Sequence, residues 1–169
     1  MHRIALFLLL LATSILAHAT QVFQQPKNFL QQTFPKGVPE PEVVWIIGDI
    51  KKDVTKIMGH DLDQLRVRYW MKHGRSAWIL EEIGKEKPIT TGIVVNKGKI
   101  EQIEVLIYRE SRGWEVHYGF FTNQFKGAEL GADSQLDRPI DNISGATLSV
   151  NALTKLARLA LYLSNHVAP

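Results

Sequence analysis

Apolar residues fall in three regimes along the chain. From Ile4 to Leu16 they are nearly continuous, from Leu65 to Arg109 they alternate with polar residues or cluster in β-branched runs, and from Leu148 to Leu163 they return at helical spacing. The middle regime predicts strands at Leu65–Lys72, Ala77–Ile83, Ile89–Val95 and Ile100–Arg109. They pair into two hairpins, one about His73-Gly74-Arg75-Ser76 and one about Asn96-Lys97-Gly98-Lys99, because a Gly-containing polar tip between β-branched runs is a turn signal. Glu115–Phe121 is expected to add a further strand. In the last regime Leu148, Ala152, Leu153, Leu156, Leu159, Ala160 and Leu163 mark the buried face of a C-terminal helix, with Lys155 and Arg158 pointing away. Asn165 and Pro169 close it.

Upstream, Asp49–Met58 predicts a helix with Ile50, Val54 and Ile57 inward, ended by Gly59. Val43–Ile47 is a short apolar stretch before it. Between Gln21 and Glu42, Pro residues at 26, 35, 39 and 41 confine any helix to about Lys27–Phe34. Three Phe in that stretch favour an arm packed on the domain over a disordered linker. The expected fold class is α+β: a small antiparallel sheet, N-terminal helices and a C-terminal helix. The expected organisation is residues 1–19 as a signal peptide, 20–42 as an arm with a short helix, and 43–169 as the domain.

The first regime reads as a targeting segment, with an uncleaved anchor as the weaker alternative. Arg3 supplies positive charge, the apolar run follows, and Ala17-His18-Ala19 is the small-x-small pattern cut by signal peptidase, so the exported chain should begin at Thr20. The run is shorter than the ~20 residues of a membrane span. Export to the periplasm or a comparable compartment sharpens the meaning of a second fact, the absence of Cys. Without thiols the chain has no disulfides, no c-type haem attachment, no iron–sulfur cluster and no cysteine zinc site. Any redox role needs a cofactor held by other means. The net charge of +3 is mild, and the nearest basic run, Arg66-Val67-Arg68 with Lys72, His73 and Arg75, looks like a solvated strand face rather than a nucleic-acid footprint.

Candidate chemistry concentrates where the last helix begins. Asp141-Asn142-Ile143-Ser144-Gly145-Ala146-Thr147 runs into Leu148-Ser149. A Ser-Gly-Ala-Thr turn opening a helix sets a hydroxyl among backbone N–H groups that lack intrahelical partners, at the positive end of the helix dipole, which suits a phosphate ester. The same four residues also fit an ordinary helix start, with Ser144 or Thr147 as the cap. His60, Asp61 and Asp63 are spaced closely enough for metal ligands but fit a polar turn better, so no metal site is expected. Neither a Ser-His-Asp nor a paired-carboxylate signature stands out.

The motif resembles the covalent flavin-attachment signature, Asp-x-x-Ser/Thr-Gly-Ala-Thr, of the FMN-binding domain family, which includes extracytoplasmic subunits of sodium-pumping NADH:quinone reductases and of Rnf complexes. The likeness runs from about Thr91 to Leu163. Gly92-Ile93-Val94 stands at a family strand start and Phe121-Thr122-Asn123-Gln124-Phe125-Lys126-Gly127 at its Phe-x-x-Gln-Phe-x-Gly segment. Glu110-Ser111-Arg112-Gly113-Trp114-Glu115 departs from the family's Glu-Ser/Thr-Pro-Gly-Leu-Gly loop at Arg112, Trp114 and Glu115.

The resemblance implies FMN esterified through its phosphate to Thr147, with Asp141, Ser144, Gly145, Ala146 and Ser149 forming the site. Trp114 is a candidate to stack on the flavin ring, and His117 a candidate neighbour. It further implies a flavin transferase that uses FAD and Mg²⁺ and releases AMP, and a membrane redox protein as electron donor or acceptor. The chain would then be an electron-carrier domain more than an enzyme with its own substrate. The polar Thr122–Asp137 stretch is expected to lie over the flavin. The alternative is an exported, non-redox binding module whose Ser-Gly-Ala-Thr turn is a helix cap or a noncovalent phosphate site.

Overall fold

The computed structural model describes residues 20–168. The expected signal segment and its cleavage point lie outside the described residues, as does Pro169. Six strands form one antiparallel sheet in the order β1-β6-β5-β4-β3-β2: β1 Gln21–Val22, β2 Glu42–Trp45, β3 Arg66–Lys72, β4 Arg75–Ile83, β5 Pro88–Asn96 and β6 Lys99–Tyr108. With helices α1 Pro26–Thr33, α2 Gly48–Met58, α3 Gly119–Thr122 and α4 Thr147–Val167, the class is α+β as expected.

Both expected hairpins form, with tighter turns than the sequence suggested. His73 and Gly74 join β3 to β4, and Lys97 and Gly98 join β5 to β6, with φ near +52° and +74° in the first pair and +51° and +74° in the second. Two successive left-handed residues make the two-residue turn whose twist matches that of the strands. Arg75 and Lys99 therefore pair as strand residues, opposite Lys72 and Asn96. The N-terminal arm joins the same sheet: β1 pairs with β6 through Gln21–Tyr108 and Val22–Ile107.

The main core lies between one sheet face and α4, with α2 beside it; Trp78, Ile93, Leu153, Leu156 and Phe121 are among its buried members. A smaller core on the opposite face joins Phe29, Leu30 and Phe34 of α1 and its exit to Ala77, Val94 and Leu106. The Phe residues of the arm thus anchor it.

Three expectations are corrected. Glu115–Phe121 is not a strand: Trp114–His117 forms a 3-10 turn and α3 follows. In this stretch Val116 and Phe121 are the buried residues, a spacing of five that no strand face permits. Lys155 and Arg158 do not point away, since Lys155 meets Glu82 at 3.2 Å and the Arg158 Nε–H donates to the Ser134 carbonyl at 2.6 Å. Leu148, expected on the buried face of α4, is 49% exposed, whereas Ser149 and Val150 of the same turn are buried, so the inward face of this turn begins one residue later.

Candidate functional site at the start of α4

The chain reaches α4 through an extended approach pinned at few points. The backbone N–H of Asp141 donates to Gln124 Oε1 at 2.7 Å. The Asn142 side chain accepts from the Ile143 N–H at 2.9 Å and donates to Thr147 Oγ1 at 2.9 Å. The Ala146 N–H donates to the Ile143 carbonyl at 2.9 Å, closing a turn in which Gly145 has φ near +81°. Asp141, Ser144, Gly145 and Thr147 are exposed and Ala146 is buried. Thr147 is the first residue of α4, so its hydroxyl stands at the open end of the helix.

No side chain caps that end. Ala146 occupies the cap position, and the first turn holds no acidic residue. Ser, Thr, Asp or Asn ordinarily fills this place and satisfies one of the free N–H groups. Neither Ser144 nor Thr147 does so, which removes the ordinary cap from the two local readings of Ser-Gly-Ala-Thr. The Thr147 oxygen instead accepts a hydrogen bond from Asn142 within the positive field of the helix. Both influences favour negative charge there.

Ser149 belongs to the scaffold. It is buried, and its hydroxyl lies 2.9 Å from the Tyr108 hydroxyl, which also donates to the Arg112 carbonyl. Burial raises the Tyr108 pKa, and the Ser149 hydrogen bond opposes this; the phenol stays protonated and can serve as that donor. This junction ties the end of β6, the Arg112-Gly113 loop and the first turn of α4 together. Gly113 has φ near +84°, and a Cβ there would meet Tyr108 Oη at 2.9 Å, Ser149 Oγ at 3.0 Å and Ala146 Cβ at 3.2 Å. Glycine is required here both for its conformation and for the approach of loop to helix.

The next residue, Trp114, is therefore held beside α4 and is 38% exposed. Its ring lies 5.5 Å from His117 and 5.4 Å from Tyr118, and His117 stacks on Phe23 at 3.9 Å, nearly parallel. With Phe120, 64% exposed, these residues form an aromatic strip next to the helix start. His117 is part of the strip through Phe23, a contact invisible in the sequence.

Two residues that sequence reasoning left without roles hold the approach in place. Glu110, 9% exposed, accepts through one carboxylate oxygen from the backbone N–H groups of Lys85, Glu86 and Lys87 at 2.5, 2.6 and 2.9 Å, fixing the loop that leads to Trp114. Gln124 holds Asp141, while its neighbours Phe121 and Phe125 pack edge to face at 5.5 Å in the core. The signal for Gln124 was the Phe-x-x-Gln-Phe-x-Gly pattern, and that for Glu110 the first residue of the Glu-Ser/Thr-Pro-Gly-Leu-Gly loop.

The Thr122–Asp137 stretch does not reach over the helix start, as was expected. After Gln124 it runs to the far part of α4: Ser134 meets Arg158, and Glu129 forms an ion pair with Lys99 at the β5–β6 turn. Arg158 is roughly 16 Å along the helix from Thr147 at 1.5 Å per residue. His60, Asp61 and Asp63 do not gather as ligands, and no cluster of three metal-ligating side chains occurs among the described residues. His60 pairs with Glu82 at 3.0 Å and Asp61 with Lys51 at 2.9 Å.

Residues 84–162 match the FMN-binding domain family. The matched stretch, 79 of the 169 residues, runs from the β4–β5 turn to near the end of α4. No curated protein and no solved structure matches the chain. The match supports FMN as the cofactor, and the residues fit its phosphate: an uncapped helix N-terminus, an exposed hydroxyl on it, and open space around Gly145, where a Cβ would meet nothing within 4 Å. The family match also begins before the expected Thr91. It takes in the 85–87 backbone that Glu110 holds.

Proposed function

We propose that Thr147 carries FMN through a phosphoester and that the domain is an exported electron carrier. The observation that carries this reading is the start of α4, where the cap position is filled by Ala146 and the first helical residue, Thr147, has an exposed hydroxyl. In attachment, the Thr147 oxygen bonds to the FMN-side phosphorus of FAD, the pyrophosphate P–O bond breaks, AMP leaves and the hydroxyl proton passes to a base. A flavin transferase with Mg²⁺ supplies that base. This chain supplies the oxygen, oriented by Asn142, and the N–H groups of the first helical turn for the phosphate oxygens. Bound flavin accepts and returns electrons. Trp114 and the aromatic strip offer a flat apolar surface for its ring.

A tethered cofactor is retained outside the cytoplasm, where a dissociated one is not readily recovered. No helix among the described residues is long and apolar enough to cross a membrane. On the family resemblance we place electron delivery with a membrane redox protein. N-terminal sequencing of exported protein should begin at Thr20.

The test is production with a flavin transferase, followed by denaturing electrophoresis and intact mass. The wild-type band should fluoresce and carry the mass of FMN, while Thr147→Ala should lose both and keep its circular dichroism. Fluorescence persisting in Thr147→Ala would move the attachment elsewhere. A native protein that binds FMN but never gains its mass would leave a noncovalent phosphate site. The loaded domain should bleach with dithionite and recover in air, with little turnover of NADH until a reductase is added; fast NADH oxidation by the domain alone would overturn the carrier role.

A further inference from the structure

The second face of the sheet is covered over half its width. Helix α1 is eight residues long, roughly 12 Å, whereas six strands span roughly 24 Å, and its side chains sit on Ala77, Val94 and Leu106 of β4, β5 and β6. On β3, Val67 and Tyr69 enter the main core, so Arg66 and Arg68 face the opposite way, onto the uncovered side. Their cross-strand partners on β2 are Trp45 and Val43, both exposed, Trp45 to 54%. Ile47 and Leu65 at the adjoining end, and Ile83 on β4, are exposed as well.

Among the described residues neither Arg66 nor Arg68 meets a carboxylate. Glu81, on the same face by its alternation along β4, is engaged by Arg109 at 3.5 Å and by the Thr90 hydroxyl; Asp63 lines a shallow cleft together with Arg66 and Arg68 without pairing with either. The patch thus presents two open guanidiniums among exposed indole and aliphatic side chains. A second copy of the chain packed face to face would bring four such guanidiniums together, which argues against self-association.

We propose that this bare half of the sheet docks on an anionic phospholipid bilayer. The guanidiniums match phosphate oxygens in geometry and charge. Trp prefers the interfacial level, where its ring is in apolar surroundings and its N–H remains near polar groups. The exposed Ile47, Leu65 and Ile83 supply apolar area at the same margin. This surface lies outside the Thr147 site, and its test needs no flavin.

The six strands, both cores and the four helices described above lie within residues 20–168, so the chain from Thr20 is used in sedimentation with vesicles of phosphatidylcholine, with or without phosphatidylglycerol. Binding should require phosphatidylglycerol and weaken with salt. Arg66→Gln with Arg68→Gln should lower partitioning roughly 25-fold, at about fivefold per cation, and Trp45→Ala should lower it too. Lys52→Gln, exposed on α2, should change it little. All four positions are exposed and lie outside both cores, and circular dichroism checks that each variant folds.

Absence of binding to phosphatidylglycerol vesicles would overturn the proposal. So would an equal loss in Lys52→Gln, which would mean diffuse charge. A concentration-dependent dimer abolished by Trp45→Ala would assign the face to a second copy. Binding to polyglutamate without binding to vesicles would assign it to an acidic protein.

Discussion

Helices α2 and α4 pack beside each other, and neither begins with a capping side chain; Ile47 and Ala146 stand where a cap would be. The difference lies in the next turn. Helix α2 brings Asp49 into its first turn, whereas α4 brings no acid. Helix α1, also uncapped, begins with Pro26, which removes one N–H from the open set. A missing cap is therefore common in this molecule and marks nothing by itself. What distinguishes α4 from α2 is that no acidic residue in its first turn offsets the positive end, leaving that role to an anion from outside. In the function proposed above, the FMN phosphate fills it.

The comparison can be tested where a glycine lies near each helix start. Gly113 crosses the first turn of α4 with φ near +84° and crowded on three sides, while Gly48 opens α2 at φ near +57° with nothing within 4 Å of a Cβ. Gly113→Ala should cost roughly 3 kcal/mol, from left-handed strain plus overpacking against Tyr108 and Ser149. Gly48→Ala should cost about 1 kcal/mol, from the strain alone. Urea unfolding measures both. Equal losses would mean that the loop-to-helix junction is no tighter than an ordinary helix start.

These differences show what the sequence could and could not reveal. Elements set by local pattern were legible: α2 and the length of α4 from their period, the two hairpins from Gly-containing turns, and the Thr147 motif from its fixed spacing. Features set by distant contacts were not. Val116 and Phe121 looked like strand residues until the left-handed turn at Gly113 sent the chain into a 3-10 turn, and the course of the loop after Gln124 depends on Arg158, 24 residues beyond Ser134. Ser149 stood in the motif as a ligand-facing hydroxyl, yet Tyr108, 41 residues away, turns it inward. The absence of a cap at Ala146 required seeing that neither nearby hydroxyl bends back to the helix.

A smaller effect distinguishes the two helix starts directly. Leu148 is exposed in the first turn of α4, so Leu148→Asp gives this helix the carboxylate that Asp49 gives α2. The dipole interaction should stabilise the apoprotein by roughly 0.5 kcal/mol, seen as a modest rise in the denaturant midpoint. The same carboxylate would repel a phosphate at Thr147, so flavin incorporation should fall sharply. Asp49→Asn in α2 should lose a comparable few tenths of a kcal/mol and leave incorporation unchanged. If Leu148→Asp destabilised the apoprotein, or took up flavin as the wild type does, the uncompensated helix end would not be what distinguishes α4.

The smallest effect concerns the far end of α2, where His60 links it to α4. The His60 ring places Nδ1 2.8 Å from the Asp61 carbonyl and Nε2 3.0 Å from Glu82, which also accepts from Lys155 at 3.2 Å. With both nitrogens facing acceptors, the protonated ring donates twice, and its pKa is raised above 6.5, chiefly by the Asp61 carbonyl, with Glu82 adding and burial and Lys155 opposing. A raised folded-state pKa means that protonation favours folding. The gain is fully present below about pH 6.5, the unfolded value, and is lost as pH rises through the folded value. Because the ring is half exposed, solvent screening keeps the gain small. Thermal melts across this window should show wild type above His60→Ala by a margin that narrows as pH rises. A margin that widened instead would mean the neutral ring is the form the fold prefers, and that Lys155 alone balances Glu82 between the two helices.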